Sequence, residues 1–298
     1  MDKLKKCPHI IEVKKLYFKK EIDMFPNRVQ QYASEVMRKV SVYRIVYKVG
    51  KLRIMGFVTL PKQGKHLPCL IHLRGGSKDF GAIDAKQILF GMAKYAKEGY
   101  VVIATQYPGV DGGGGKDTWG GKDDVTSIKK LREILKWIPQ ADTSRIGVKG
   151  HSRGGFMAYL MLAKVTWIKA AVIGAAPTDQ FKQADEREGW REHQIKIWGK
   201  SKSELKKRSP IKWVDQITKK APILIMHGSA DWRVEANHSI NMSAELYKHK
   251  IPHRLILFEG ADHAISEFKR EYTTQTINWF DRFLKKSESL PNMEFHGA

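Results

Sequence analysis

The run Gly150-His151-Ser152-Arg153-Gly154-Gly155 places one hydroxyl between glycines. A short apolar stretch, Ile146-Gly147-Val148, leads in, and a helix-compatible stretch, Phe156-Met157-Ala158, follows. This is the strand, sharp turn and helix of a nucleophile elbow. A side chain at the tip of such a turn sits on strained backbone; Gly150 and Gly154 have no Cβ to collide there, so the Ser152 hydroxyl can stand clear of the sheet. Gly155 lets the new helix pack close. The competing reading of Ser152 is an ordinary helix N-cap.

A serine hydroxyl is a poor nucleophile near neutral pH and needs a general base, which in turn needs an orienting carboxylate. The apolar run Ile223-Leu224-Ile225-Met226 reads as a buried strand, and Asp231 lies in the loop after it. Arg254 to Phe258 reads as the next strand, and its following loop, Glu259-Gly260-Ala261-Asp262-His263, carries His263. Serine, acid and histidine in that chain order, each at the carboxyl end of a strand, is the arrangement of an α/β-hydrolase. The rivals fit less well. His72 and His227 lie in or at the end of apolar strands and read as satisfied core histidines, and His253 precedes its strand, at the opposite edge of the sheet from Ser152. The strand-to-turn geometry points His151 away from Ser152. Asp262 is poorly placed to accept from the ring of its neighbour His263, and Glu235 is already in a helix start.

A tetrahedral intermediate needs donors for its oxyanion, and the backbone N–H of Arg153, the residue after the nucleophile, is the first. Two sources remain open for the second. One is the loop Leu73-Arg74-Gly75-Gly76-Ser77, where the backbone at Gly75 can approach a ligand; the other is the phenol of Tyr107, whose competing reading is a packed strand-end tyrosine. Arg74, Trp190 and Trp232 are the candidate substrate-facing side chains. The glycine run Gly112 to Gly115 followed by Lys116-Asp117 fails as a phosphate loop, since Asp117 stands where Ser or Thr is required and Val110 where the leading glycine is required. It reads as a mobile loop near the site. No metal-ligand spacing and no dinucleotide fingerprint is present, so neither a metal nor a cofactor is expected.

These residues must be held by a chain of 298 residues, 42% hydrophobic, enough for one large α/β domain. Fifty-three Lys and Arg against 31 Asp and Glu give a formal charge of +22. The lysines are spread from Lys3 to Lys286 and interleaved with acids, so they read as a solvated exterior with no specific nucleic-acid site and no membrane-binding face. Cys7 and Cys69 are too few for a disulfide framework. Ile10-Ile11 is broken off by Glu12, Lys14 and Lys15, which rules out a signal-peptide core, and no apolar run approaches the roughly 18 residues of a membrane span. A cytoplasmic address is expected.

Periodicity predicts a lead-in over 1–41 with a helix from about Asn27, capped by that residue, to Val40. Val42 to Val49 and Leu52 to Leu60 form an antiparallel hairpin, placed at the sheet edge. From Cys69 on, apolar strands alternate with amphipathic helices, the signature of a mostly parallel, doubly wound sheet, and the α/β catalytic domain is placed at 42–298. The segment of about 178–220 breaks the alternation. It is polar, carries Trp190, Trp198 and Trp213, and is longer than a crossover helix needs. An elaborated crossover with packed tryptophans and a small helical insertion covering the substrate both fit it, and the latter would sit over the carboxyl ends of the strands.

With these residues in view, the sequence resembles the catalytic domain of the prolyl oligopeptidase family, within the α/β-hydrolase fold, from about Val42 to Lys286. The markers are Gly56-Phe57-Val58-Thr59-Leu60-Pro61, Asp123-Asp124-Val125, Asp142-Thr143-Ser144-Arg145-Ile146-Gly147 before the serine motif, and Arg208-Ser209-Pro210-Ile211 before the acid-bearing strand. The resemblance implies Ser152, Asp231 and His263 as the triad and aligns Tyr107 with a tyrosine that in many members helps form the oxyanion hole. Arg74-Gly75-Gly76 replaces the usual His-Gly-Gly, and about forty residues of lead-in cannot build the β-propeller of the large peptidases. The expected activity is acyl-enzyme hydrolysis of short or acylated peptides. A carboxylesterase acting on small acyl esters is the alternative, and a non-catalytic binding protein that keeps the fold is the alternative from another class. The sequence leaves the oligomeric state open.

Overall fold

The structure is a computed structural model that describes residues 1–297. The chain groups into two compact units, one of residues 1–117 and 121–146, the other of residues 118–120 and the described residues from 147 on.

The first unit holds β1 (Ile10–Leu16), β2 (Val40–Val49), β3 (Leu52–Pro61), β4 (Leu67–Leu73), β5 (Val101–Thr105) and the first half of β6 (Ala141–His151), in the order β1-β2-β3-β5-β4-β6. β2 and β3 form the expected hairpin, closing at the pair Val49 and Leu52 with Gly50 at φ 58°. The hairpin is not the edge. β1 pairs antiparallel outside β2, and its outward Glu12, Lys14 and Lys15 are exposed. Charged side chains on an edge strand discourage pairing with another chain, and they also hide the strand from an apolar pattern search. The lead-in helix runs Asn27–Lys39 with Pro26, not Asn27, at the cap; the fixed φ of proline suits a helix entry.

From β3 on, the pairing changes hand. β3 runs antiparallel to β5, whereas β4 and β5 are parallel and joined by a crossover helix that Asp84 caps by accepting from Gln87 N at 2.8 Å. That helix contains one π-helical turn, Ile88–Met92, between Ala85–Gln87 and Ala93–Lys97. Asp123 and Asp124 occupy the first turn of the helix Lys122–Leu135, where its N-terminal dipole favours negative charge. The glycine run is laced down: Gly109 N donates to Gly114 O at 2.9 Å and Gly114 N to Arg53 O at 2.8 Å.

The second unit continues β6 into β7 (Ile168–Gly174), β8 (Ile223–Gly228) and β9 (His253–Phe258), in that order, with β7, β8 and β9 parallel. Every residue of β8 is buried, as a parallel strand covered on both faces requires. The segment after β7 is helical, Gln180–Glu186, Trp190–Trp198 and Lys202–Lys207, and its three tryptophans are buried.

Close approach of strands sets one strict requirement. A Cβ on Gly56 would stand 2.7 Å from the Ala104 carbonyl oxygen on β5. Since that neighbour is backbone inside a ladder, Gly56→Ala is expected to destabilise by about 2 kcal/mol, lowering the thermal midpoint by roughly 5 °C. Calorimetry of the variant checks this, and an unchanged midpoint would count against so tight a pairing.

Candidate active site

The second unit brings three of the expected residues to the carboxyl ends of its strands. Ser152 follows β6 directly, with φ 56° and ψ −127°. A non-glycine residue held there stores roughly 1–3 kcal/mol of strain. The turn is wound so tightly that a Cβ on Gly150 would lie 2.0 Å from the Gly154 carbonyl oxygen. Main-chain bonds hold the tip: Ser152 N donates to Gly174 O at 2.8 Å, and Ser152 O accepts from Gly155 N at 2.8 Å and Phe156 N at 3.2 Å. The Ser152 side chain makes no capping hydrogen bond, so the N-cap reading does not describe its hydroxyl. Gly155 lets the helix Arg153–Lys164 lie against β7, since a Cβ there would be 2.7 Å from that of Ala176. The N–H of Arg153 opens this helix, where backbone donors have no intrahelical acceptor.

Asp231 and His263 lie in the loops after β8 and β9, and these loops are zipped together by backbone. Ser229 N donates to Phe258 O at 2.9 Å and Ala230 N to Ala261 O at 3.1 Å. A Cβ on Gly228 would meet Ala261 O at 2.3 Å. The zipper delivers His263 Nδ1 to within 2.6 Å of Asp231 Oδ2. Asp231 is 5% exposed, and its Oδ1 accepts from Arg233 N at 2.9 Å and Val234 N at 3.0 Å. Burial alone would raise its pKa. The hydrogen bonds from His227 and His263, the charge of His263 and the Val234 N–H outweigh burial and hold the carboxyl well below its usual range. Asp262 turns the other way and fastens the loop, its Oδ1 accepting from Ala264 N and Ser266 N, each at 2.9 Å.

Two histidines that read as bystanders touch this array. The turn carries the His151 ring onto the loop of His263, with Nε2 2.7 Å from the His263 carbonyl oxygen. A Cβ on Gly174 would lie 2.5 Å from His151 Nδ1, so the glycine makes room for the ring. His227 Nε2 lies 3.1 Å from Asp231 Oδ2. Nothing in an apolar strand ending in His-Gly distinguishes such a histidine from a core one.

The candidate substrate residues have other duties. Trp190 is 8% exposed and donates Nε1–H to Gln180 Oε1 at 3.1 Å. It packs edge-on to Trp119 at 5.1 Å, and Trp119 in turn stacks with Phe156 and lies under the Arg153 guanidinium. Sequence reasoning missed Trp119, a lone aromatic in a glycine-rich stretch. Arg208 fastens that stretch, donating from Nε to Trp119 O at 2.8 Å and from Nη2 to Thr118 O at 3.0 Å. Trp232 is 67% exposed beneath the Arg233 guanidinium. In the first unit Arg74 is buried and winds its own loop, donating to the carbonyls of Gly75, Lys78 and Phe80. Its guanidinium also lies over the Tyr107 ring, and the Tyr107 hydroxyl donates to Arg74 O at 2.9 Å.

A family model described as the prolyl oligopeptidase family matches residues 88–287. The Bacillus subtilis protein named as uncharacterized peptidase YtmA is 29% identical over 212 residues, covering 70% of this chain and 80% of that protein. The dipeptidyl-peptidase 5 of Porphyromonas gingivalis is 25% identical over 259 residues, 78% of this chain but 36% of that protein. Among solved structures, the Pyrococcus horikoshii acylaminoacyl peptidase matches with a TM-score of 0.74 at 20% identity, over 88% of this chain and 45% of that one. The chain thus spans less than half of the larger peptidases it matches. The fold is that of an α/β-hydrolase, a mostly parallel sheet with antiparallel leading strands.

Transfer from water into the turn lowers the pKa of His151 to about 3, and the neighbouring charges of His263 and Lys149 push the same way. The unfolded chain titrates this imidazole near its ordinary value and therefore binds more protons than the folded state between about pH 6.5 and 3. Stability from this residue is complete above that window and is lost on acidification through it. His151→Gln keeps a donor for the His263 carbonyl and does not titrate, so its thermal midpoint should fall less steeply from pH 6.5 to 4. Parallel midpoint curves for the two proteins would show that His151 takes no such part.

Proposed function

The chain belongs to the prolyl oligopeptidase family, and from that premise we propose that Ser152, His263 and Asp231 form the triad of a serine peptidase that cleaves short or acylated peptides. The observation that carries the assignment is the 2.6 Å bond from His263 Nδ1 to Asp231 Oδ2, made by the loops of two adjacent parallel strands. With Nδ1–H given to the carboxylate, Nε2 is the ring nitrogen left to take a proton.

In the proposed cycle, His263 Nε2 removes the Ser152 hydroxyl proton as Oγ adds to the substrate carbonyl. Asp231 stabilises the resulting imidazolium and does not itself take the proton, in keeping with its depressed pKa. The new oxyanion faces the Arg153 N–H at the start of the helix, where the helix dipole also favours negative charge. Collapse of the tetrahedral species breaks the C–N bond as His263 returns its proton to the leaving amine, leaving Ser152 acylated. Water then adds to the acyl carbonyl as His263 takes its proton, and collapse breaks the C–Oγ bond as His263 returns that proton to Ser152, freeing the acid.

The acylaminoacyl and dipeptidyl specificities named for the relatives support peptide substrates with a short or blocked amino end. A cytoplasmic setting fits Cys7 and Cys69, both buried free thiols. Among the described residues no helix is long and apolar enough to cross a membrane.

Labelling by a serine-reactive fluorophosphonate should disappear in Ser152→Ala, and equal labelling of the variant would sink the assignment. Run in parallel on N-acyl-peptide and aminoacyl chromogenic amides, wild type should release the amine with Ser152 dependence. Turnover confined to short p-nitrophenyl esters would make the protein a carboxylesterase.

A further inference from the structure

His227, the penultimate residue of β8, is fully buried. Its Nε2 stands 3.1 Å from Asp231 Oδ2 and 2.9 Å from the Val234 carbonyl oxygen. Both partners can only accept, the carboxyl being ionised, so Nε2 carries a proton and shares it between them. On the far side of the ring, Nδ1 lies 2.7 Å from Ser239 Oγ on the helix Asn237–Lys248. The imidazole therefore has a fixed tilt, set by a hydroxyl on one side and two acceptors on the other.

The consequence falls on Asp231. Its Oδ1 is fixed by two main-chain donors, whereas Oδ2, the oxygen that His263 uses, accepts from two imidazoles, His263 at 2.6 Å and His227 at 3.1 Å. His263 is 16% exposed in its side chain and sits on a loop, so it cannot both depend on the carboxylate for its orientation and supply that orientation. His227, rooted in a central strand, can. A second N–H on Oδ2 also draws charge density from that oxygen and tempers its pull on the His263 proton.

We propose that His227 is a positioning residue: it sets the plane of the Asp231 carboxylate, and so the orientation of the His263 ring, from the strand side. The proposal rests on the triad reading above. The same geometry gives Ser239 a supporting place, since its hydroxyl keeps the His227 ring from rotating.

The test compares His227→Leu, which fills the space without a donor, with His227→Gln, whose side-chain amide can reach toward Oδ2. Removing the outer partner that orients a metal-ligating side chain typically costs about 10–100-fold in affinity or activity; by the same logic the leucine variant should lose at least about tenfold in kcat on a chromogenic amide while KM stays within about twofold. The glutamine variant should recover most of the loss at comparable thermal stability. Should leucine cost the fold, His227→Asn, polar but too short to reach Oδ2, takes its place. The second readout needs no substrate: the low-field proton resonance of the His263–Asp231 hydrogen bond should shift in the non-donating variant and return toward its original position in His227→Gln. A folded, non-donating variant with unchanged kcat, or an unmoved resonance, overturns the proposal. Failure of the triad reading would show separately, as labelling that does not depend on Ser152.

Discussion

A carboxylate taken out of water must be compensated by donors, and much of the second unit can be read as the answer to that demand at Asp231. Four donors converge on it: two main-chain N–H groups of its own loop and two imidazoles. Main-chain donors require the loop to turn sharply within three residues of the acid. An imidazole from His263 requires the loops of β8 and β9 to run in backbone contact, which is why a side chain is excluded at Gly228. Only parallel neighbours with Gly228 opposite Phe258 place the two loops at one level, so sheet register becomes a condition for ionising one side chain.

The elbow at Ser152 works by the opposite principle. Asp231 is stabilised by what surrounds it, whereas Ser152 is kept in an unfavourable conformation by what flanks it. Glycines at 150 and 155 let the chain fold over itself and against β7, and the bond from Ser152 N to Gly174 O ties the tip to the neighbouring strand. Strain of that kind persists only where the surroundings over-determine the backbone. The His151 ring adds one more tie, to the carbonyl of His263, so adjacent residues face the nucleophilic turn and the backbone of the residue expected to serve it.

What could be read from the sequence follows from how local each feature is. The strand-loop placements of Ser152, Asp231 and His263 were legible because each is written in a dozen consecutive residues. So were the hairpin β2–β3 and the alternation of strands and helices. β1 was not, because an edge strand whose exposed positions include Glu12, Lys14 and Lys15 carries neither an apolar run nor a period of two. The engagement of His227 with Asp231 was illegible for a different reason: a histidine closing an apolar strand looks the same whether its Nε2 meets a backbone carbonyl or a carboxylate. Arg74 reads as a ligand group when seen beside two glycines. Its burial and its three loop carbonyls are facts of three dimensions, and Gly76, where a Cβ would lie 2.0 Å from Phe80 O, is what allows that loop to close around it.

The helical segment after β7 is bound to the site by polar bonds as well as by its tryptophans. His238, on the helix that follows the Asp231 loop, accepts at Nδ1 from Thr178 N at 3.0 Å and Asp179 N at 3.2 Å, and its Nε2 lies 2.9 Å from Glu186 Oε2. Two main-chain donors on Nδ1 leave the proton to Nε2, which gives it to the glutamate. One buried ring thereby joins the exit of β7, the first helix of the segment and the helix that follows the acid loop. At the other end, Arg208 grips the carbonyls of Thr118 and Trp119, and Trp119 packs on Phe156, four residues after the nucleophile. A buried polar anchor is costly to leave half-satisfied, so such a segment is held in place far more firmly than one docked by apolar packing alone. Rearranging it would require His238 and Arg208 to give up their partners together, which makes the tryptophan-rich segment a fixed wall of this unit.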